Sequence, residues 1–398
     1  MAADQSAGWA NLPDKVVHEI YRRIPCEVDR HHAGRVCLSW RVALAKLKPP
    51  VPPAPLPWLL LPEADGEHRP TFSCVLRGWR STHPFFLPIG ARRARYFGSY
   101  NGVWLFLAVD VLQGDGKAED HLLINLHSFQ FVDLPNAMRV PIYQADQGLQ
   151  NIAIVAAALS RPPTERGCVV AGIIELAHSP PARRVAFWRM GDRVVPRHPW
   201  AEWPPEEVED LLYTTGAFIF LTKKEDIRVC REPAIHKDFV QLQLNLQSLV
   251  LFRPRGRDGQ MVLGRYLVHS RRDVLLVVRL AAPLPYDQAA VEFRVFESKK
   301  YVQGKYTRMW NALSGLDGRI LFVGRGCSRS YEEADGYPGM EGVYFLDDHS
   351  SRRPIVHGPR HACRCSDNGK WSEASLRIDR CFPERAWSKC SPPVWIIP

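Results

Sequence analysis

No apolar run in this sequence approaches the ~20 residues that a membrane-spanning helix needs. The longest, Ile152–Leu159 and Val274–Leu280, are strand-length, and the second contains Arg279. The first ten residues, Met-Ala-Ala-Asp-Gln-Ser-Ala-Gly-Trp-Ala, lack the basic start and apolar stretch of a secretory leader. No membrane association is therefore expected, and the expected location is the cytoplasm, the nucleus or both. Cys-x-x-Cys is also missing, and the ten cysteines follow no regular framework, which fits reduced thiols better than a disulfide scaffold. The tightest group, His357, His361, Cys363 and Cys365, with Cys381 and Cys390 further on, lacks the spacing of a chelating knuckle. No metal and no cofactor are expected.

Catalytic signatures are scarce as well. The sequence has no Gly-x-Ser-x-Gly elbow, no His-Glu-x-x-His pair and no phosphate loop ending in Lys-Ser/Thr. Gly324-Arg-Gly-Cys-Ser328 follows a strand pattern but has neither the third glycine nor the helix of a dinucleotide site, and reads as a tight turn at a blade edge. Asp347 and Asp348 are strand neighbours pointing to opposite faces, so adjacency gives no acid–base pair. Asp110, Asp115 and Asp120 lack calcium-loop spacing. The net charge is +10, yet the basic residues are dispersed in pairs such as Arg92-Arg93, Arg183-Arg184, Arg271-Arg272, Lys299-Lys300 and Arg352-Arg353. That pattern reads as solvated loop tips and not as one nucleic-acid stripe.

What the sequence does have is enough apolar content, 46% of 398 residues, to bury a large core, and 33 prolines, which favour many short segments over long helices. Residues 1–8 are small and polar and are expected to be disordered. In 9–48 the pattern is helical. Pro13 suits a first turn, where its missing N–H would be unpaired anyway, and Val16, Val17, Ile20 and Ile24 share one face. Pro25 ends that segment. Asp29 is a candidate N-cap for a second stretch in which Ala33, Val36, Cys37, Trp40, Leu44 and Leu47 recur at helical intervals. Gly34 should split it into two short helices. So few helices cannot enclose a core of their own. Residues 49–57, rich in proline, read as a stiff extended spacer.

From 58 to 398 the period becomes strand-like, with turn residues between many short apolar segments and a hairpin at His121–Leu126 and Phe129–Leu134. Only 202–212 and 308–314 suggest short helices. So many strands fit a radial arrangement better than a sandwich. The fold expected is a small all-α unit followed by a large all-β domain, a β-propeller of about six or seven blades. Pro57-Trp-Leu-Leu-Leu-Pro62 and Pro392-Pro-Val-Trp-Ile-Ile-Pro398 rhyme as the two end strands that would close the ring.

At Leu12–Arg41 the sequence resembles the F-box: Leu12-Pro13, Val16, Val17, Ile20, Ile24, Asp29 and Val36-Cys37-x-Ser39-Trp40-Arg41 fall at that motif's spacing. Ala33 and Gly34 depart from it, standing where a larger apolar and a basic residue are usual. The remainder is similar to the plant F-box family with a C-terminal kelch-like propeller formerly of unknown function. Tyr96-Phe-Gly-Ser-Tyr-Asn-Gly-Val-Trp-Leu105, Tyr266-Leu-Val-His-Ser270, Leu321-Phe-Val-Gly-Arg-Gly-Cys-Ser328 and Gly342-Val-Tyr-Phe-Leu-Asp-Asp348 carry that similarity.

The resemblance implies a non-catalytic substrate receptor of a Skp–cullin–F-box ubiquitin ligase. Leu12, Pro13, Ile20, Ile24, Val36, Cys37 and Trp40 would dock a Skp-type adaptor, and through it cullin, while the propeller holds a target protein that no residue identifies. Trp188, Trp200, Trp203 and Trp310 could serve as anchors for that target, although tryptophan in such domains is usually core. Two rivals remain: a propeller interaction protein whose degenerate F-box no longer recruits the ligase, and a propeller enzyme with carboxylates or histidines converging at its centre.

Overall fold

Trp58 and Leu60 leave the strand Trp58–Leu61 toward one neighbour, Leu59 and Leu61 toward the other, as the two-residue period of a strand dictates. That alternation, repeated around a ring, organises the molecule. The structure is a computed structural model. It describes residues 7–24, 26–46, 54–64, 69–78, 82–83, 86–113, 116–140, 148–176, 183–198, 207–237, 239–241, 261–281, 291–303, 305–348, 363, 365, 367–373, 378–383 and 387–398.

Four short helices come first: α1 Ala7–Ala10, α2 Asp14–Arg23, α3 Glu27–Ala33 and α4 Leu38–Ala45. Helix therefore begins at Ala7, inside the stretch expected to be disordered. The break at Gly34 is as expected, but Asp29 is not the cap of α3. Cys26 occupies that position with extended backbone and no side-chain capping bond, leaving Asp29 within the helix.

Six blades follow. Blade 2 is the meander Arg95–Tyr100, Trp104–Gln113, Gly116–Asn125, Phe131–Leu134, and blade 5 is Met261–Ser270, Asp273–Ala281, Val291–Gln303, Lys305–Ala312. Blade 3 is built on Leu149–Leu159, Val169–Leu176 and Arg184–Arg189, and blade 4 on Val208–Thr214, Ala217–Thr222 and Ile227–Arg231. Blade 6 comprises Arg319–Phe322, Arg329–Glu332, Gly342–Phe345, Gly369–Trp371 and Ile378–Asp379. Blade 1 joins the two chain ends. The closing strand Val394–Ile396 pairs antiparallel with Trp58–Leu61, register Trp58↔Ile396, Leu59↔Trp395 and Leu60↔Val394, and Thr71–Cys74 and Thr82–His83 complete the sheet. The rhyme of the two ends is thus the seam that closes the ring. It leaves no free edge at the start or finish of the sheet series.

Each adjacent pair of blades shares one apolar cluster, including the pair that joins blade 6 to blade 1. Trp188 and Trp310 are buried in these seams, where they hold blades together and present no surface. Trp200 and Trp203 lie outside the described residues. Where short helices were expected at 202–212 and 308–314, the described residues form strands at 208–212 and 308–312, and 202–206 lie outside the described residues. Val208–Thr214 pairs with Ala217–Thr222 across a Thr215-Gly216 turn, and Lys305–Ala312 pairs with Val291–Gln303. Hairpin partners decide the matter where the local pattern permits either structure. Arg92-Arg93 and Arg271-Arg272 lie at turns as expected and Arg352-Arg353 lies outside the described residues, whereas two other basic pairs depart from expectation. Arg183 is buried and bonded to Glu175 at 3.3 Å, and Lys299-Lys300 sits inside a strand.

The largest revision concerns Gly324–Ser328, which lies at the ring axis and not at a blade edge. The Gly326 N–H donates to Asp210 of blade 4 at 2.8 Å, and the Val323 carbonyl accepts from Trp395 Nε1 of blade 1 at 2.9 Å. Asn101, in the turn of blade 2, accepts from Arg329 at 2.9 Å. Only glycine fits at 326: φ is +67°, and a Cβ there would meet the Ala157 carbonyl of blade 3 at 2.8 Å.

Candidate protein-docking surface

The helical unit is held by a small core. Val17, Ala33, Trp40 and Ala43 are buried, with Leu12, Ile20, Tyr21, Ile24, Cys37 and Leu44 packed around them. α2 starts after Pro13, whose carbonyl accepts from the N–H groups of Val16 and Val17 at 2.8 and 3.1 Å. His18 Nε2 lies 2.9 Å from the Ala43 carbonyl, tying α2 to α4. α1 is fixed by two bonds from α4: Ser39 Oγ to the Ala10 carbonyl at 2.6 Å and Trp40 Nε1 to the Trp9 carbonyl at 2.9 Å.

These contacts sort the seven sequence candidates. Trp40 is only 5% exposed. With Ala43 and Leu44 three and four positions on, it turns into the bundle and orders the helices without offering surface. Leu12, Ile20, Ile24 and Cys37 are half-buried on the same core. Cys37 Sγ lies 3.0 Å from the Ser39 hydroxyl. Pro13 and Val36 are exposed.

The two most exposed apolar residues of the unit, and two others, are not among the seven. Leu38 is 72% exposed, Trp9 66%, Val42 44% and Val16 41%, beside Val36 at 58%. Leu38 and Val42, four positions apart, share a strip of α4, a spacing visible in the sequence but overshadowed by Trp40. Ala33, one of the two departures from the motif, lies in the core, and Gly34 ends α3 with ordinary right-handed geometry. Neither departure is among the exposed apolar residues.

The unit is seated on the ring. Cys26 and Val28 join the apolar cluster of blades 1 and 2, and Leu56, at the described end of the spacer, packs with Tyr337 of blade 6. The Tyr337 hydroxyl donates to the Ala54 carbonyl.

On the ring itself, a cavity of about 660 Å³ on blade 2 is lined by Leu107, Val109, Leu122, Phe129, Phe131 and Arg193 among others. Phe129 and Phe131 are 50% and 66% exposed there. At the axis, carboxylates do converge, but the bonds they make are structural. Asp210 accepts three backbone N–H bonds, from Leu211, Leu267 and Gly326. Burial pushes its carboxyl up to about 7 despite them. Glu209 and Glu225 both bind Arg265, at 3.0 and 2.9 Å, and Asp348 accepts from the buried Tyr266 hydroxyl at 2.8 Å. Asp210, fully buried, is out of reach of a substrate. Of the sequence-level cysteine group, Cys365 is buried and Cys363 bridges to Ser388; His357 and His361, like Asp115, lie outside the described residues.

A family model described as the KIB1-4 β-propeller matches residues 72–367. The chain belongs to that family. The KIB1-4 match covers blades 2 to 5 whole and most of blade 6, and it begins after the helical unit. No curated protein matches the chain. Among solved structures it is similar to a GH43 β-1,3-galactosidase with galactodeoxynojirimycin, at 10% identity over 65% of this chain and 82% of that one, TM-score 0.29. It is also similar to the β-propeller domain of Cps50 (Swd1) from Myceliophteria thermophila, at 13% identity over 79% and 92%, TM-score 0.28. At such TM-scores neither likeness bears on what this KIB1-4 propeller does.

Proposed function

We propose that the chain is the substrate-recognition subunit of a Skp–cullin–F-box ubiquitin ligase. The helical unit docks a Skp-type adaptor, and the propeller holds a target protein. The observation that carries this reading is the exposed apolar set Trp9, Pro13, Val16, Val36, Leu38 and Val42 on a unit whose own core is small. Exposed apolar side chains gathered on one short segment mark a surface that a partner covers, and a short helix with i, i+4 apolar residues suits a hydrophobic groove. Membership of a propeller family typical of plant F-box proteins supports it further. The chain needs no catalytic residue of its own for this role, since the covalent chemistry belongs to other subunits. Trp40, Leu12, Ile20, Ile24 and Cys37 then serve as positioning residues beneath the contact surface.

The second reading is a propeller interaction protein that does not recruit the ligase. It is favoured by one fact: the family match starts at residue 72 and leaves the helices out. Co-purification separates the two. Full-length chain should retain a Skp-type adaptor and cullin, and Leu38→Asp with Val42→Asp should lose both while captured target proteins remain. A chain that never retains an adaptor supports the second reading. Point variants are preferable to deleting the helices, because removing Cys26 and Val28 would strip a blade-1 seam of part of its core.

A further inference from the structure

Two cysteines and a histidine far apart in the chain meet where the helical unit sits on blade 1. In that blade, His83 pairs opposite Phe72, and Cys74 lies two residues beyond Phe72 on the same strand. Strand alternation therefore puts Cys74 and His83 on one face. Cys26, at the start of α3, comes down onto that face from the helical side. The two thiol sulphurs and an imidazole nitrogen lie within 4.8 Å of one another, and Cys26 Sγ is 3.9 Å from His83 Nε2. All three residues are at most 3% exposed. The Trp58 ring, 5.1 Å from the His83 ring, packs against the imidazole.

We infer that Cys26, Cys74 and His83 form a structural zinc site that staples the helical unit to the propeller. In tetrahedral zinc the S···N edge is about 3.6 Å and the S···S edge about 3.8 Å, so the Cys26–His83 distance of 3.9 Å needs a contraction of tenths of an ångström, and the other two edges, each under 4.8 Å, need about 1 Å at most. Two thiolates and a neutral imidazole around a divalent ion sum to zero charge. That is what allows such a group to be buried without an unpaired charge. Soft thiolate ligands with imidazole favour zinc over magnesium or calcium. Among the described residues no fourth Cys, His, Asp or Glu joins the group, so a bound ion would take its fourth ligand from solvent. Sequence spacing gave no hint of the site, because it exists only once the spacer has brought α3 back onto the first blade.

Metal analysis of the full-length chain, purified under reducing conditions with zinc in the growth medium, tests this. About one zinc ion per chain is expected, falling at least tenfold in Cys74→Ser and unchanged in Cys363→Ser/Cys365→Ser. Should Cys74→Ser fail to fold, the wild-type chain stripped with a chelator gives a second readout. It should take up equimolar Co²⁺ with the visible bands of a tetrahedral ion and a thiolate charge-transfer band in the near ultraviolet. Folded wild-type chain that holds neither zinc nor Co²⁺ overturns the site. So does zinc retained in Cys74→Ser/His83→Ala or lost from the Cys363/Cys365 variant, and so does a Cys26–Cys74 disulfide located by peptide mapping without reductant.

Discussion

Around the ring, six apolar seams close on one another, and the carboxylates at the axis already hold arginines, tyrosine or backbone N–H groups. In the helical unit, four buried residues support a surface on which Leu38, Trp9 and Val36 stand largely in solvent. Among the described residues, five of the thirteen large exposed hydrophobics fall in this segment, between Trp9 and Val42, which is about a tenth of the chain. The contrast separates two physical roles. A ring that satisfies itself leaves little apolar surface uncovered, whereas the helical unit exposes the apolar side chains on which the proposed adaptor docking rests.

The contrast can be strained from the ring side first. Asp210→Ala should orphan three buried N–H groups contributed by blades 4, 5 and 6, at roughly 1–3 kcal/mol each, the largest loss expected from any single change discussed here. Urea unfolding would register it as a lower midpoint. An unchanged midpoint would mean the axis is not clamped there. Trp40→Ala should cost about 3–5 kcal/mol, confined to the helices. Hydrogen exchange should show protection lost across α2 and α4 while the blades keep theirs.

A pH experiment sharpens the ring further. His198 is buried beside Phe187, their rings stacked at 5.6 Å and 15°, and burial holds its imidazole down to about 3 against a usual 6.5. The unfolded chain therefore binds more protons between about pH 3 and 6.5. The stability that His198 contributes is full above about 6.5 and is lost as pH falls. Asp210 has the opposite sign: with its folded value raised to about 7, the folded state binds more protons between about pH 4 and 7 and gains as pH falls. The wild-type profile sums the two. His198→Phe keeps the stack and removes the first, so at pH 5 the variant should gain about 2 kcal/mol on wild type relative to their difference at pH 8. Parallel profiles would contradict the assignment. Smallest in stability, Leu38→Ala with Val42→Ala should shift the melting free energy by no more than ~0.5 kcal/mol, while weakening adaptor binding at least tenfold.

Much of the ring was legible because strand alternation is local. Trp58-Leu-Leu-Leu61 and Val394-Trp-Ile396 declare two buried faces by themselves, and a ring needs such ends to meet. What stayed hidden depends on contacts from far along the chain. Gly324–Ser328 read as an edge turn because Ala157, Asp210 and Trp395, which fix it at the axis, lie far from it in sequence. The part of 202–212 that the structure describes, from 208 on, read as helix because Val208, Leu211 and Leu212 also suit a helical face; its hairpin partner overrode that. In the helical unit the motif spacing marked the segment that carries the exposed apolar residues, Pro13 and Val36 among them. It could not separate core from contact, since Trp40 and Leu38 lie two positions apart and face opposite ways.

The central claim is that the exposed face of the helical unit belongs to an adaptor. Calorimetric titration of a Skp-type adaptor into the full-length chain, and into Val36→Asp/Leu38→Asp, tests it most directly. The account predicts stoichiometric binding to wild type and at least a hundredfold loss in the variant, with the ring's unfolding midpoint unchanged. Absence of binding to wild type, or equal binding to both proteins, would contradict it.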